Sequence, residues 1–191
     1  MPRIFLALNF SVAVTRKIAE EVERLKPAMH DAGYRVAWVP AANLHLTLRF
    51  LGSVGEELIE GVTGACRKVA ARHQPIEARA AGVGAFPSAQ KPGVLWVGVE
   101  APAALSALQR EIEAAMVELG FEPEERAYHP HVTVGRIKET RAAAATELWK
   151  SDAALGSSPL SEIVVYESKT RSAGAEYVAR ARVPLGDKER R

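Results

Sequence analysis

His45-Leu46-Thr47-Leu48 and His131-Val132-Thr133-Val134 follow one pattern, His-x-Thr-x with an apolar residue at each x. Both copies stand in stretches that read as β-strands. Residues i and i+2 of a strand share a face, so each copy presents an imidazole beside a hydroxyl. With 5 His and 7 Thr in 191 residues, chance supplies only about 0.2 His-x-Thr occurrences per chain. One copy would pass for ordinary strand residues; two in matched contexts call for a shared purpose.

Outward from these motifs, strands and helices alternate irregularly. The apolar run over 3–10 reads as a buried strand. Ser11 is placed to cap a helix over 12–29, with Val14, Ile18, Val22, Leu25 and Met29 at helical spacing. A short strand at 36–39 ends at Pro40, the first motif strand covers 45–51, and a helix follows over 56–71. In the second half, strands are expected at 75–85 and 94–99, and a helix over 105–119 that Gly120 terminates. The second motif strand covers 131–137. The Ala-rich stretch 141–150 reads as helical, and 163–169 with 176–183 as a hairpin. The expected class is α+β and bilobal: two mostly antiparallel sheets with helices on their outer faces and a central cleft between the lobes. Residues 1–185 form one such domain, and 186–191 a charged, frayed tail.

Composition narrows the function. Hydrophobic residues make up 48% and charged ones 25%, ordinary for a chain that buries a real core. A formal net charge of +2 is too small to argue for gripping long nucleic acid through many phosphates. It suits a local basic cleft for a small anion or one RNA end. The lone Cys66 excludes a disulfide framework and lies at a core-facing helical position. No run of 18 apolar residues exists, so the expectation is a cytoplasmic protein that no membrane holds. Trp38, Trp96 and Trp149 read as core or lobe-interface packing, and His30 and His73 as helix-end residues.

Histidine gives and takes protons near neutrality, and a threonine hydroxyl donates to non-bridging phosphate oxygens. Two imidazole–hydroxyl couples facing one cleft therefore meet the needs of cyclic phosphodiester hydrolysis. A base activates water, an acid protonates the departing ribose oxygen, and hydroxyls meet the developing charge. No cofactor is called for. The metal reading rests on His129-Pro130-His131 alone, and no complementary ligands accompany it.

The chain resembles the two-histidine phosphoesterase superfamily, and more closely its bacterial and archaeal RNA 2′,3′-cyclic phosphodiesterases, once called 2′-5′ RNA ligases. The likeness is carried by Arg3-Ile4-Phe5-Leu6-Ala7, by Asn43-Leu44-His45-Leu46-Thr47-Leu48-Arg49-Phe50-Leu51-Gly52, by Pro130-His131-Val132-Thr133-Val134-Gly135-Arg136 and by Val164-Val165-Tyr166-Glu167-Ser168. It implies metal-independent opening of RNA 3′ ends or nucleotides bearing a 2′,3′-cyclic phosphate to 2′-phosphomonoesters. His45 would be the proton donor, His131 the acceptor, and Thr47 and Thr133 the phosphate holders. The two tetrapeptides are chemically equivalent, so their residues alone do not decide which histidine is the acid. Arg136 matches a position of the substrate cleft, yet alternation from His131 sends it to the opposite face unless the strand bulges at Gly135. Arg49 shares the face of His45 and Thr47 by alternation, and is either a phosphate neutraliser or a solvated surface arginine. The resemblance makes Phe50 a base-stacking platform; its apolar surroundings make it a core residue. His129 reads as a turn residue. Two alternatives stay open. One is 2′-5′ RNA ligation by the reverse chemistry, which water at about 55 M disfavours against scarce RNA hydroxyls. The other is a non-catalytic module binding RNA ends or nucleotides.

Overall fold

The computed structural model describes residues 1–140, 151–171 and 174–186. The segment 141–150 read above as helical, Trp149 within it, and the tail beyond Gly186 lie outside the described residues. The elements run β1 (Arg3–Leu8), α1 (Val12–Asp31), β2 (Tyr34–Trp38), β3 (Leu46–Ser53), α2 (Glu56–Ala70), β4 (Ile76–Pro87), β5 (Pro92–Glu100), α3 (Ala103–Glu118), β6 (His131–Thr140), β7 (Ser151–Leu160), β8 (Glu162–Arg171) and β9 (Gly174–Pro184). Ser11 caps α1 by accepting from the Val14 N–H.

All strand pairings are antiparallel, in the order β7-β4-β5-β6-β3-β1-β8-β9. The class is the expected α+β, but the strands join in one nine-stranded sheet where two separate sheets were expected. Its two four-stranded halves, β7-β4-β5-β6 and β3-β1-β8-β9, meet edge to edge through the two motif strands. Leu46 pairs with Val132 at that junction. Beyond it, β6 turns the same edge to β2, which pairs from Trp38–Gly135 to Tyr34–Thr140.

Helices cover one face of the sheet. α1 packs on β7 and β2, α2 on α3, β8 and β9, and α3 on β3. The apolar stripes named from the sequence fill this layer, with Ile18, Leu25, Met29, Leu105, Leu108, Ile112 and Met116 all within 1% of complete burial. Cys66 belongs to the same core; burial pushes its thiol up to about 12, so it stays a protonated, inert packing group. No described helix is long and apolar enough to cross a membrane.

The strand β7 was not expected. Its sequence, Ser-Asp-Ala-Ala-Leu-Gly-Ser-Ser-Pro-Leu, is poor in β-branched and aromatic residues. Pairing from Ile76–Leu160 to Val83–Ser151 along β4 holds it extended, a tertiary effect that local propensity does not carry.

Candidate active site

The junction of the two halves places the motifs. Leu46 and Val132 point into the helix-side core at 0% and 1% exposure. Their neighbours His45, Thr47, His131 and Thr133 therefore project from the opposite face, and all four are half-buried rather than sealed. Antiparallel register about the Leu46–Val132 pair sets His45 across from Thr133, and Thr47 across from His131. Each imidazole thus has one hydroxyl on its own strand and a second on the facing strand.

Both rings are anchored alike. His45 Nδ1 lies 2.7 Å from the Asn43 carbonyl oxygen, and His131 Nδ1 lies 2.6 Å from that of His129. A carbonyl only accepts, so each Nδ1 carries a hydrogen, and the neutral ring keeps Nε2 as its free acceptor. The local chain makes these carbonyls available. After Pro40 a 3₁₀ turn over Ala41–Asn43 curls the backbone, and the Asn43 side chain holds it by donating to Ala175 O at 2.7 Å. On the other side Pro130 precedes His131, its carbonyl accepting from the Val99 N–H at 3.2 Å.

Aromatic rings wall both imidazoles. Tyr177 stands edge-on to His45 at 5.3 Å, with Phe5 at 4.8 Å, while Phe86 stands edge-on to His131 at 5.1 Å. This burial lowers the pKa of His45, opposed by its bond to Asn43 and reinforced by the charge of His131. The pKa of His131 is lowered likewise by burial, opposed by its carbonyl bond, and lowered further by the charges of His129 and Arg136. The rings sense one another across the junction, and the cationic neighbour Arg136 stands on the His131 side.

Arg136 comes to this face because β6 bulges. Trp96 pairs with Thr133 but Leu95 pairs with Gly135, so Val134 is an extra residue and the alternation flips beyond it. The bulge considered at Gly135 is thus present one residue earlier, at Val134. Gly135 itself lies under Trp38 and Val36. A Cβ there would stand 2.8 Å from Val36 Cγ1 and 3.1 Å from Trp38 Cε3.

The same device acts in β3 and overturns the expectation for Arg49. Ala7 pairs with Thr47 but Leu6 with Arg49, so Leu48 is the extra residue there. Arg49 consequently turns to the helix side with Leu6 and is 9% exposed. It pairs with Glu113 (2.9 Å) and Glu124 (3.6 Å), away from Thr47 and His45. Phe50 then takes the site face, 59% exposed, its ring 5.5 Å from that of Phe5. The core reading of Phe50 therefore fails, and Phe50 and Arg136 hold equivalent places in the two halves.

The remaining candidates divide simply. His129 is exposed and contributes its carbonyl. His73, after α2, meets Glu111 at 3.1 Å, and His30 lies exposed in the last turn of α1. Among the described residues no group of three or more His, Cys, Asp or Glu could hold a metal ion. Trp96, taken as packing, stands on the site face between Thr133 and Phe86. Residues that sequence reading missed are Tyr128, whose hydroxyl donates to Thr47 O at 3.2 Å, and the ring cluster of Phe5, Tyr166 and Tyr177 behind His45. Their signal was weak, for a single aromatic in a strand or loop does not show what it touches.

A split antiparallel sheet presenting two imidazole–hydroxyl couples on one face defines the class of two-histidine phosphoesterases. The chain belongs to the 2′-5′ RNA ligase superfamily, whose family profile matches residues 14–171. It is 34% identical over 180 residues to the RNA 2′,3′-cyclic phosphodiesterase of Methanothermobacter thermautotrophicus, covering 92% of this chain and 94% of that one. The RNA 2′,3′-cyclic phosphodiesterase of Aquifex aeolicus is 29% identical, over 90% and 93% of the two chains. Among solved structures, a Thermus thermophilus protein superposes with a TM-score of 0.81 at 23% identity, covering 98% of this chain and all of that one. Escherichia coli LigT complexed with 3′-AMP superposes at 0.76 with 25% identity, over 97% and 99% of the chains.

Proposed function

We propose that this protein hydrolyses RNA or nucleoside 2′,3′-cyclic phosphate ends to 2′-phosphomonoesters, with His45 as acid and His131 as base and without a metal. The observation that carries the reading is the matched anchoring. Each Nδ1 is tied to the carbonyl two residues earlier, which leaves two Nε2 atoms and two hydroxyls on one face. The relatives named above as RNA 2′,3′-cyclic phosphodiesterases support the substrate class.

In this reading Thr47 and Thr133 donate to the non-bridging oxygens, with Arg136 meeting the charge that grows there. His131 Nε2 accepts a proton from water as the water oxygen attacks phosphorus. The bond from phosphorus to O3′ breaks in line, and protonated His45 delivers its Nε2 proton to O3′. The site's own charges favour these roles. Burial is the largest cause holding down both imidazoles, and Arg136 and His129 add charges that disfavour protonation of His131, which supports its use as the base.

The test is turnover of a nucleoside 2′,3′-cyclic phosphate in EDTA, followed by product analysis on an oligoribonucleotide with the cyclic end. A 2′-phosphate formed at an undiminished rate supports the reading. Loss of activity on chelation defeats the metal-free mechanism, and binding without turnover replaces the enzyme by a binding module.

The lowered pKa values also set a pH dependence. The active free enzyme carries one proton on the pair, and both imidazoles titrate below the usual value near 6.5. The optimum of kcat/KM is therefore expected on the acid side of 6.5. The sign for stability follows as well. Groups with depressed folded pKa values stabilise above their unfolded value and lose that contribution as pH falls through the folded values. Tm should drop as pH falls from 7 towards 5, and drop less in a His45→Gln variant. An optimum above pH 7 contradicts the burial argument.

A further inference from the structure

The two motif strands share one backbone pair, Leu46–Val132, among the described residues. One pair fixes a contact point but leaves the angle between two strands poorly constrained, whereas catalysis needs both imidazoles placed within about half an ångström. The chain that delivers His131, residues 119–130, has neither helix nor strand of its own. It is held instead by β3. The Tyr128 hydroxyl donates to the carbonyl of Thr47 at 3.2 Å, next to the motif hydroxyl. Two residues on, the Arg49 guanidinium donates to the Glu122 carbonyl and faces the carboxylates of Glu113 and Glu124. Both contacts start from the first motif strand and end on the segment leading into the second.

The energetics favour a geometric use. The Tyr128 ring is buried enough to hold its phenol protonated, well above the usual tyrosine range. Arg49 Nε and Glu113 Oε2 are buried, and although 2.9 Å apart they are not aligned as a hydrogen bond. Buried ion pairs of this kind add little net stability, because desolvation offsets the attraction. What they supply here is a defined position: Arg49 faces Glu124 of the loop, and Glu113 of α3 accepts from the Glu124 N–H at 2.8 Å.

We propose that Tyr128 and Arg49 are positioning residues: together they clasp the loop before His131 to the strand after His45, and so set the spacing of the two imidazole–hydroxyl couples. This rests on the hydrolytic reading above, and its test separates the two. Tyr128→Phe removes one oxygen and keeps the ring; Arg49→Met removes the charge and keeps the length. For each, kcat and KM are measured on a nucleoside 2′,3′-cyclic phosphate well below Tm. Inorganic phosphate is titrated in parallel against the imidazole NMR signals of His45 and His131.

Wild type should show both imidazoles responding to phosphate with one dissociation constant. Tyr128→Phe is expected to lower kcat about 5- to 20-fold with KM within about twofold, a misplacement rather than a binding loss. Phosphate should still bind within about twofold of the wild-type affinity, but the shifts that it induces at the two imidazoles should differ from those of wild type. Arg49→Met should move the same quantities in the same direction, and Tyr128→Phe decides the matter if Arg49→Met does not fold. A variant with lowered Tm but unchanged kcat, KM and phosphate response overturns the proposal, as does phosphate that shifts only one imidazole in wild type. A wild type that binds phosphate through both histidines yet turns over no cyclic phosphate defeats the hydrolytic reading alone, and the phosphate titration still tests the clasp.

Discussion

His45→Ala and His131→Ala should each lower kcat on a nucleoside 2′,3′-cyclic phosphate by about 10²-fold or more, with the fold kept. The fold survives because both side chains are half-buried on the site face, and the core pair beneath them is Leu46–Val132. Two features make the expectation sharper than a bare loss. In the proposed mechanism the acid and base act in one transfer, so His45→Ala/His131→Ala should cost little more than the worse single variant. The pH profile should also lose a different limb in each single variant, the acid-side limb when the base is gone and the alkaline limb when the acid is gone. Rate measurements from pH 5 to 8 on purified, folded variants check both points. Unaltered limbs would remove the histidines from proton transfer whatever the size of the rate loss.

How much of this was legible in the sequence depends on which physical rule governs each position. His45, Thr47, His131 and Thr133 were legible because period-two alternation holds over three residues, and three residues are all the motif needs. Arg49 was misread because alternation was carried across Leu48, where β3 takes in an extra residue against β1, and the core reading of Phe50 failed because its apolar neighbours do not show which face it takes. A bulge depends on the partner strand's register, and no residue in Leu48-Arg49-Phe50 marks it. In β6 the same break is flagged by a glycine at 135, which is why a bulge could be anticipated there. The carbonyls of Asn43 and His129 left no trace, since any residue offers a carbonyl and only the turn before the strand decides where it points. The strand β7 stayed hidden for a related reason: its extended form belongs to its pairing with β4 rather than to its own residues.

Gly135→Val tests that register directly, and its effects should be large on both stability and rate. The added Cβ falls 2.8 Å from Val36 Cγ1 and 3.1 Å from Trp38 Cε3, and neither can yield freely. Val36 is held by its pairing with Ile137, and Trp38 by its pairing with Gly135 itself. Overpacking of this kind costs roughly 1–3 kcal/mol, a fall of several degrees in Tm for a chain this long. Relief requires β6 to shift against β2, and β6 beyond Val134 is the segment that carries Arg136 to the site face. The rate should therefore fall by about tenfold or more even where the variant is fully folded. Arg136→Ala alone should produce a loss of similar size by removing the charge outright. The deciding measurement is the double variant, because two changes that remove one interaction are less than additive. If Gly135→Val and Arg136→Ala multiply as independent losses, the bulge serves packing only, and the route from Gly135 through the flipped alternation to the phosphate is wrong.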